Sequence, residues 1–199
     1  MRILNGIHMV KTSFVNVYIV ERDDELLLID TGIPGSTDNI LSYIEAIGYK
    51  PDNVSIIVIT HAHQDHIGGL RALIKRTNAM VAAHRLEREY ISDKVDILLE
   101  EGMNVKGLRV IHTPGHTPGH ICLLDINANS LFVGDLMYEE NGKLYEIPHK
   151  YSRDPERNRD AIRKLLDIEF RHIMPSHGNP IIERGKNAVY ELLKELGKI

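Results

Sequence analysis

Residues 61–66 read His-Ala-His-Gln-Asp-His, three imidazoles and a carboxylate placed directly after the apolar run Val54 to Ile59. A strand that ends in such a cluster delivers its side chains to a sheet edge, where a metal ion and a substrate can reach them. The same kind of position recurs further on. His116 stands in Thr113-Pro114-Gly115-His116-Thr117-Pro118-Gly119-His120, a turn-rich link between two apolar runs. Asp135 follows Leu131-Phe132-Val133-Gly134, and His177 follows the run Arg171 to Met174 within Pro175-Ser176-His177-Gly178. Each candidate lies just beyond a strand-like segment, so all of them could converge on one edge of a fold. Imidazole and carboxylate suit zinc, iron or manganese, and no thiolate is supplied to force zinc.

The elements that must position these residues can be read from apolar spacing. Strands are expected at 2–10, 14–20 and 25–30, the last two as a hairpin around the charged turn Glu21 to Asp24. A helix follows, capped by Ser36, with Ile40, Leu41, Ile44 and Ile47 on one stripe and Gly48 at its end. The strand 54–59 leads into the histidine cluster, and Gly68-Gly69 opens a helix bearing Leu70, Leu73 and Ile74. A strand near 79–83 and a helical stretch around 85–99 come next, then strands at 108–112, 119–125 and 130–134. Residues 138–153 read as a loop rich in Tyr, Lys and Glu. Asp154-Pro155 starts a helix carrying Ile162, Leu165 and Leu166, a short strand spans 171–174, and a final helix carries Val189, Leu192, Leu193 and Leu196. Strands and helices mixed in both halves imply sheets covered by helices in layers.

The bulk properties narrow the function. At 199 residues, one domain spanning 1–199 is the expectation. A net charge of −4 with no block of like charges gives no electrostatic reason to expect nucleic acid as a partner. No long apolar segment suggests a leader or a membrane span, so a cytoplasmic protein acting on a small-molecule substrate is expected. The single Cys122, in Ile121-Cys122-Leu123-Leu124, reads as an inert core thiol. His8, His149 and His172 carry no motif and read as surface or packing residues. His84, His112 and His120 read as satisfied, partly buried histidines, with support of a ligand as the alternative. Arg85, Glu87, Arg88 and Glu89 read as a solvated helix face.

Taken in order, the H-x-H-x-D-H cluster, the Pro-Gly-His, the Gly-Asp after a strand and the late Ser-His-Gly resemble the metallo-β-lactamase superfamily. The match runs over nearly the whole chain. The resemblance implies an α/β fold, the four-layer αββα sandwich, with metals at one edge. It implies that His61, His63 and His116 hold a first ion, that Asp65, His66 and His177 hold a second, and that Asp135 bridges them. Zinc is the expected metal, with iron or manganese as alternatives. Asp30, in Leu27-Leu28-Ile29-Asp30-Thr31-Gly32, matches the family's early aspartate, which braces ligands without binding the ion.

Two ions roughly 3.5–4 Å apart can share a water and present it as a hydroxide nucleophile near neutral pH, so no seryl or cysteinyl nucleophile is required. Asp65 and Asp135 are the expected catalytic carboxylates, Asp65 orienting the nucleophile and handling its proton. Thr60-His61-x-His63-x-Asp65-His66-Ile67-Gly68-Gly69 and the doubled Thr-Pro-Gly-His look most like the glyoxalase II branch, whose members cleave a thioester of glutathione. Glyoxalase II proper carries a C-terminal helical domain that holds much of the glutathione, and this sequence ends one helix after His177. Lys143, Tyr145, Lys150 and Tyr151 are candidate contacts for a substrate carboxylate or phosphate. A persulfide dioxygenase using a single iron on His61, His116 and Asp135 is the alternative from another reaction class. A phosphodiesterase or lactonase of the same fold is a further one, and a non-enzymatic scaffold is disfavoured because no ligand position is lost.

Overall fold

The computed structural model describes residues 1–199, which divide into two compact units, Met1–Leu99 and Glu100–Ile199. In the first unit, β1 (Arg2–Leu4), β2 (Ile7–Thr12), β3 (Val15–Arg22) and β4 (Glu25–Ile29) pair antiparallel in sequence order. The order then continues in parallel through β5 (Val54–Ile59), β6 (Met80–His84) and β7 (Ile97–Leu99), giving a seven-stranded sheet. Parallel neighbours need crossovers. These are supplied by α1 (Thr37–Ala46) before β5 and by α2 (Gln64–Ile67) with α3 (Leu70–Thr77) before β6.

Alternation along the strands decides which residues meet the helices. Leu26 and Leu28 of β4 and Ile57 and Ile59 of β5 share one core with Ile40, Leu41 and Ile44 of α1 and Leu70 and Leu73 of α3. Leu27, Ile29, Ile56 and Val58 point the other way and are buried as well. Burial of both faces explains why β4 and β5 read as unbroken apolar runs.

The second unit contains β8 (Asn104–Val105), β9 (Leu108–His112), β10 (Ile121–Asp125), β11 (Ser130–Gly134), β12 (Met137–Glu140), β13 (Lys143–Glu146), α4 (Pro155–Lys164), β14 (His172–Pro175) and α5 (Gly185–Glu195). Its main sheet runs β14-β11-β10-β9-β8, with β14 parallel to β11 and the rest antiparallel, and β12–β13 forms a separate hairpin. Ile111, Cys122, Leu131 and Val133 of the sheet pack with Ile162 and Leu165 around α4 and with Val189, Leu192 and Leu193 of α5. Cys122 is wholly buried, and burial pushes its thiol up to about 12, so it is an inert core residue as the sequence implies.

Three local expectations need correction. Residues 85–99 are not a helix but a 3-10 turn, Arg85–Tyr90, followed by the edge strand β7. Residues 138–153 are not an open loop, since they hold the β12–β13 hairpin and a 3-10 turn at His149–Tyr151. Ser36 precedes α1 but makes no side-chain cap, because its own backbone is already helical. Asp154, by contrast, caps α4 as expected, accepting the Arg157 amide at 3.0 Å. No helix is long and apolar enough to cross a membrane.

Candidate metal centre

In the first unit the candidate ligand residues are organised by the residue just after β4. Asp30 adopts a left-handed backbone, φ 63°, and its amide still donates to the Val58 carbonyl at 2.9 Å. Its buried carboxylate is thereby turned toward the end of β5. There Oδ1 accepts the Thr60 amide, while Oδ2 accepts the Thr60 hydroxyl and His66 Nδ1, all at 2.8 Å. The Thr60 hydroxyl has one proton and gives it to Asp30. Its lone pairs therefore face His61 Nδ1, 3.1 Å away, which must be the donor. Asp30 and Thr60 so fix the tautomer of both rings, leaving Nε2 as the basic nitrogen of His61 and of His66. A carboxylate behind an imidazole, with the opposite nitrogen directed outward, is the usual support of a metal-binding histidine.

The remaining residues of the cluster are held close by. The ring centroids of His61 and His63 lie 4.7 Å apart, and those of His61 and His66 lie 4.0 Å apart. Asp65 Oδ2 is 3.7 Å from His66 Nε2. His61 and His66 are fully buried, whereas His63 and Asp65 are half-buried and can meet solvent. Ala62, between the first two histidines, donates its amide to Glu87 Oε2 at 2.8 Å. Glu87 is therefore a buried brace of the His61–His66 segment, not part of a solvated face. Helix α2 is anchored from the other side, where the Thr31 amide and hydroxyl both donate to the His66 carbonyl at 2.8 and 2.7 Å. The Gly68-Gly69 pair follows from this crowding, since a Cβ on Gly69 would stand 2.5 Å from the Thr31 carbonyl oxygen.

In the second unit Asp135 is the hub. Its Oδ1 is 3.2 Å from His177 Nε2 and its Oδ2 is 3.6 Å from His116 Nε2. The backbone of Asp135 is set by His120, whose Nε2 accepts the Asp135 amide at 3.1 Å. With Nε2 accepting, His120 Nδ1 carries the proton and donates to the Thr113 hydroxyl at 2.8 Å. The second histidine of the doubled Thr-Pro-Gly-His therefore braces Asp135 and is buried. The His116 loop rests on the start of α4, where the amides of Arg153 and Asp154 donate to the carbonyls of His116 and Gly115 at 3.1 and 2.9 Å.

The candidate substrate residues lie on the hairpin and the turn that follows it. Lys143 is exposed, 3.5 Å from Glu195, and Tyr145 stacks on Tyr138 with ring centroids 5.4 Å apart. Lys150 sits 4.7 Å over the ring of the exposed Tyr151. Partial burial, with Glu140 and Tyr145 nearby, holds the Tyr138 phenol above its ordinary range, so it stays neutral.

A carboxylate flanked by imidazoles in one unit, and braced histidines with a carboxylate in the other, supply the donor chemistry of divalent transition-metal sites. Comparison with known proteins agrees. The sequence model of the Metallo-beta-lactamase superfamily matches residues 10–177, and the chain belongs to that superfamily. It is 28% identical over 183 residues to the Drosophila melanogaster Beta-lactamase-like protein 2 homolog, a match covering 84% of this chain and 60% of that protein. The N-acyl homoserine lactonase of Bacillus thuringiensis is 28% identical over 187 residues, covering 76% of this chain and 74% of its own length. Among solved structures, TTHA1623 in a di-iron-bound form superposes with a TM-score of 0.70 at 26% identity, covering 88% of this chain and 93% of that one. The α/β fold is the one the sequence implies.

Proposed function

We propose that this chain is a two-metal hydrolase cleaving a small ester-type substrate, a thioester first among them as in the glyoxalase II branch. In this reading, which follows the superfamily resemblance, His61, His63, His116 and Asp135 would hold one ion, and Asp65, His66, Asp135 and His177 would hold the other. The observation that carries it is the bracing of the ligands. Asp30 and Thr60 fix two imidazoles with Nε2 outward, and His120 fixes the hub Asp135. Such care over ring orientation fits metal ligation better than a packed histidine cluster.

Ions held by these residues would polarise a substrate oxygen and lower the pKa of a water molecule bound to them. The chain's own contribution is orientation and proton handling. Asp135 holds its two carboxylate oxygens toward His177 and His116, and Asp65, half-buried beside His66, would take the proton of the attacking water and return it to the leaving group. Lys143, Tyr145, Lys150 and Tyr151 would receive the charged end of the substrate.

The test is elemental analysis of the purified protein together with kcat/KM on thioester, lactone, phosphodiester and persulfide substrates. Two equivalents of metal with thioesters turned over best are expected. Preference for lactones, as the Bacillus thuringiensis relative's name suggests, would replace the thioester reading. A single iron with oxygen uptake on a persulfide would overturn hydrolysis altogether. Asp65→Asn is expected to lower kcat by about 10²- to 10⁴-fold, and a variant with full metal content and full turnover would remove Asp65 from the mechanism.

A further inference from the structure

His177 is a ligand on the proposed reading, yet it follows a short strand and lies in a turn, Ser176-His177-Gly178-Asn179, with no helix to hold it. What holds it is Glu139, on the hairpin strand that starts just after Asp135. The Glu139 amide donates to the His177 carbonyl at 3.0 Å. Its carboxylate returns to the same turn, Oε2 accepting the Asn179 amide at 2.5 Å, while Oε1 accepts the Gly142 amide of the hairpin turn at 2.6 Å. Main chain and side chain of one residue thus grip the turn at the His177 carbonyl and two residues further on, at the Asn179 amide. Glu139 is buried, so these bonds form away from competing water.

The grip also explains the glycine of the Ser-His-Gly motif. Gly178 has φ 94°, and a Cβ there would stand 2.1 Å from the Glu139 carbonyl oxygen and 2.7 Å from Glu139 Oε2. The turn closes on Glu139 only if position 178 has no side chain. Cross-strand pairing fixes which way Glu139 faces. Tyr138 pairs with Tyr145 and their rings stack, so Glu139, one residue on, points to the opposite, buried side.

We infer that Glu139 is the positioning residue of His177: it fixes the 3.2 Å approach of His177 Nε2 to Asp135 and ties that ligand to the hairpin bearing Tyr138 and Tyr145. This rests on the reading of His177 as a ligand. Both carboxylate oxygens accept amide protons, so the isosteric Glu139→Gln must turn an NH2 group toward one of those amides.

The experiment is stepwise cobalt(II) titration of wild type, Glu139→Gln and Glu139→Ala, followed by visible absorption, with amide hydrogen exchange measured on the metal-free proteins. Both variants should bind the second cobalt about 10- to 100-fold more weakly and keep the first nearly unchanged. In a His177→Ala background, adding Glu139→Gln should cost no further affinity. In the metal-free protein the Asn179 amide should be protected in wild type and lose that protection in Glu139→Gln. A second equivalent bound with wild-type affinity would overturn the inference. So would parallel loss of both equivalents with a lower Tm, or failure of both variants to fold, since either makes Glu139 a general scaffold residue. Wild type binding a single cobalt would refute the two-metal reading separately, and the Asn179 exchange would still decide whether Glu139 holds the turn.

Discussion

Asp30 is the residue on which the orientation of His61 and His66, the first proposed ligand group, depends. One buried carboxylate accepts three protons, from the Thr60 amide, the Thr60 hydroxyl and His66 Nδ1. Asp30→Ala should leave these donors without their acceptor, costing about 1–3 kcal/mol for each that stays unsatisfied. Metal affinity should fall by about 10- to 100-fold because both His61 and His66 lose their fixed orientation. Urea unfolding of the metal-free protein and chelator competition on the loaded protein separate the two effects. Thr60→Val should weaken metal binding through His61 alone and leave the His66–Asp30 bond intact. If Thr60→Val matched Asp30→Ala in both measurements, the direct Asp30–His66 bond would contribute nothing and Asp30 would act through Thr60 alone. Glu87 invites a simpler test. Its carboxylate accepts the Ala62 amide between His61 and His63, and Glu87→Ala should destabilise the protein by about 1–3 kcal/mol. A surface glutamate would lose almost nothing.

At the scale of elements, each brace is only as good as the strand or helix end that presents it. Helix α4 begins at Asp154, whose carboxylate caps the Arg157 amide while its own amide and that of Arg153 hold the His116 loop. Asp154→Ala should therefore cost about 1 kcal/mol in urea unfolding, and should also raise exchange at the Arg153 amide, next to the loop it supports. Strand β14 carries a pH dependence. Burial holds the His172 imidazole below its ordinary range, partly opposed by Glu183 and assisted by Arg171, and its Nδ1 accepts the Glu183 amide at 3.0 Å. With the folded value depressed, the unfolded chain takes up the proton first. The stability His172 contributes is thus present above the unfolded value of about 6.5 and is lost as pH falls from there toward the folded value. Urea midpoints between pH 8 and 5 should fall more steeply for wild type than for His172→Gln.

These elements also separate what the sequence discloses from what it hides. Strands β4, β5 and β11 are legible because burial on both faces makes them continuous apolar runs, and the chemistry waits at their ends. The β12–β13 hairpin was legible too, through Asn141-Gly142, whose positive φ values of 53° and 80° match the two-residue turn this dipeptide favours. Glu87 and Glu139 could not be read, because their partners are backbone amides 25 and 40 residues away in sequence, with no side-chain pattern to mark them. In residues 85–99 the charges imitate a solvated helix, while the real determinants are the parallel pairing of β7 on β6 and the burial of Glu87.

On the scale of the whole molecule, metal binding and stability are one measurement. Each unit has its own core, so Leu26→Ala in the first and Leu192→Ala in the second should each cost about 2–5 kcal/mol. Neither substitution touches a proposed ligand. An ion that binds the folded chain alone stabilises it by RT ln(1 + [L]/Kd), about 2.7 kcal/mol at a hundredfold excess over Kd. Chelation should therefore lower the Tm, and readdition of zinc, manganese or iron should restore it in order of affinity. The proposed ions draw on residues 61–66 and on residues 116–177, which makes a sharper demand than stability alone. Metal should slow amide exchange both in β5, just before His61, and in β11, just before Asp135. Either His61→Ala or His177→Ala should diminish the effect in both strands. Metal-dependent protection confined to one strand, untouched by substitution of the other ligand group, would mean separate sites and would end the shared two-metal reading.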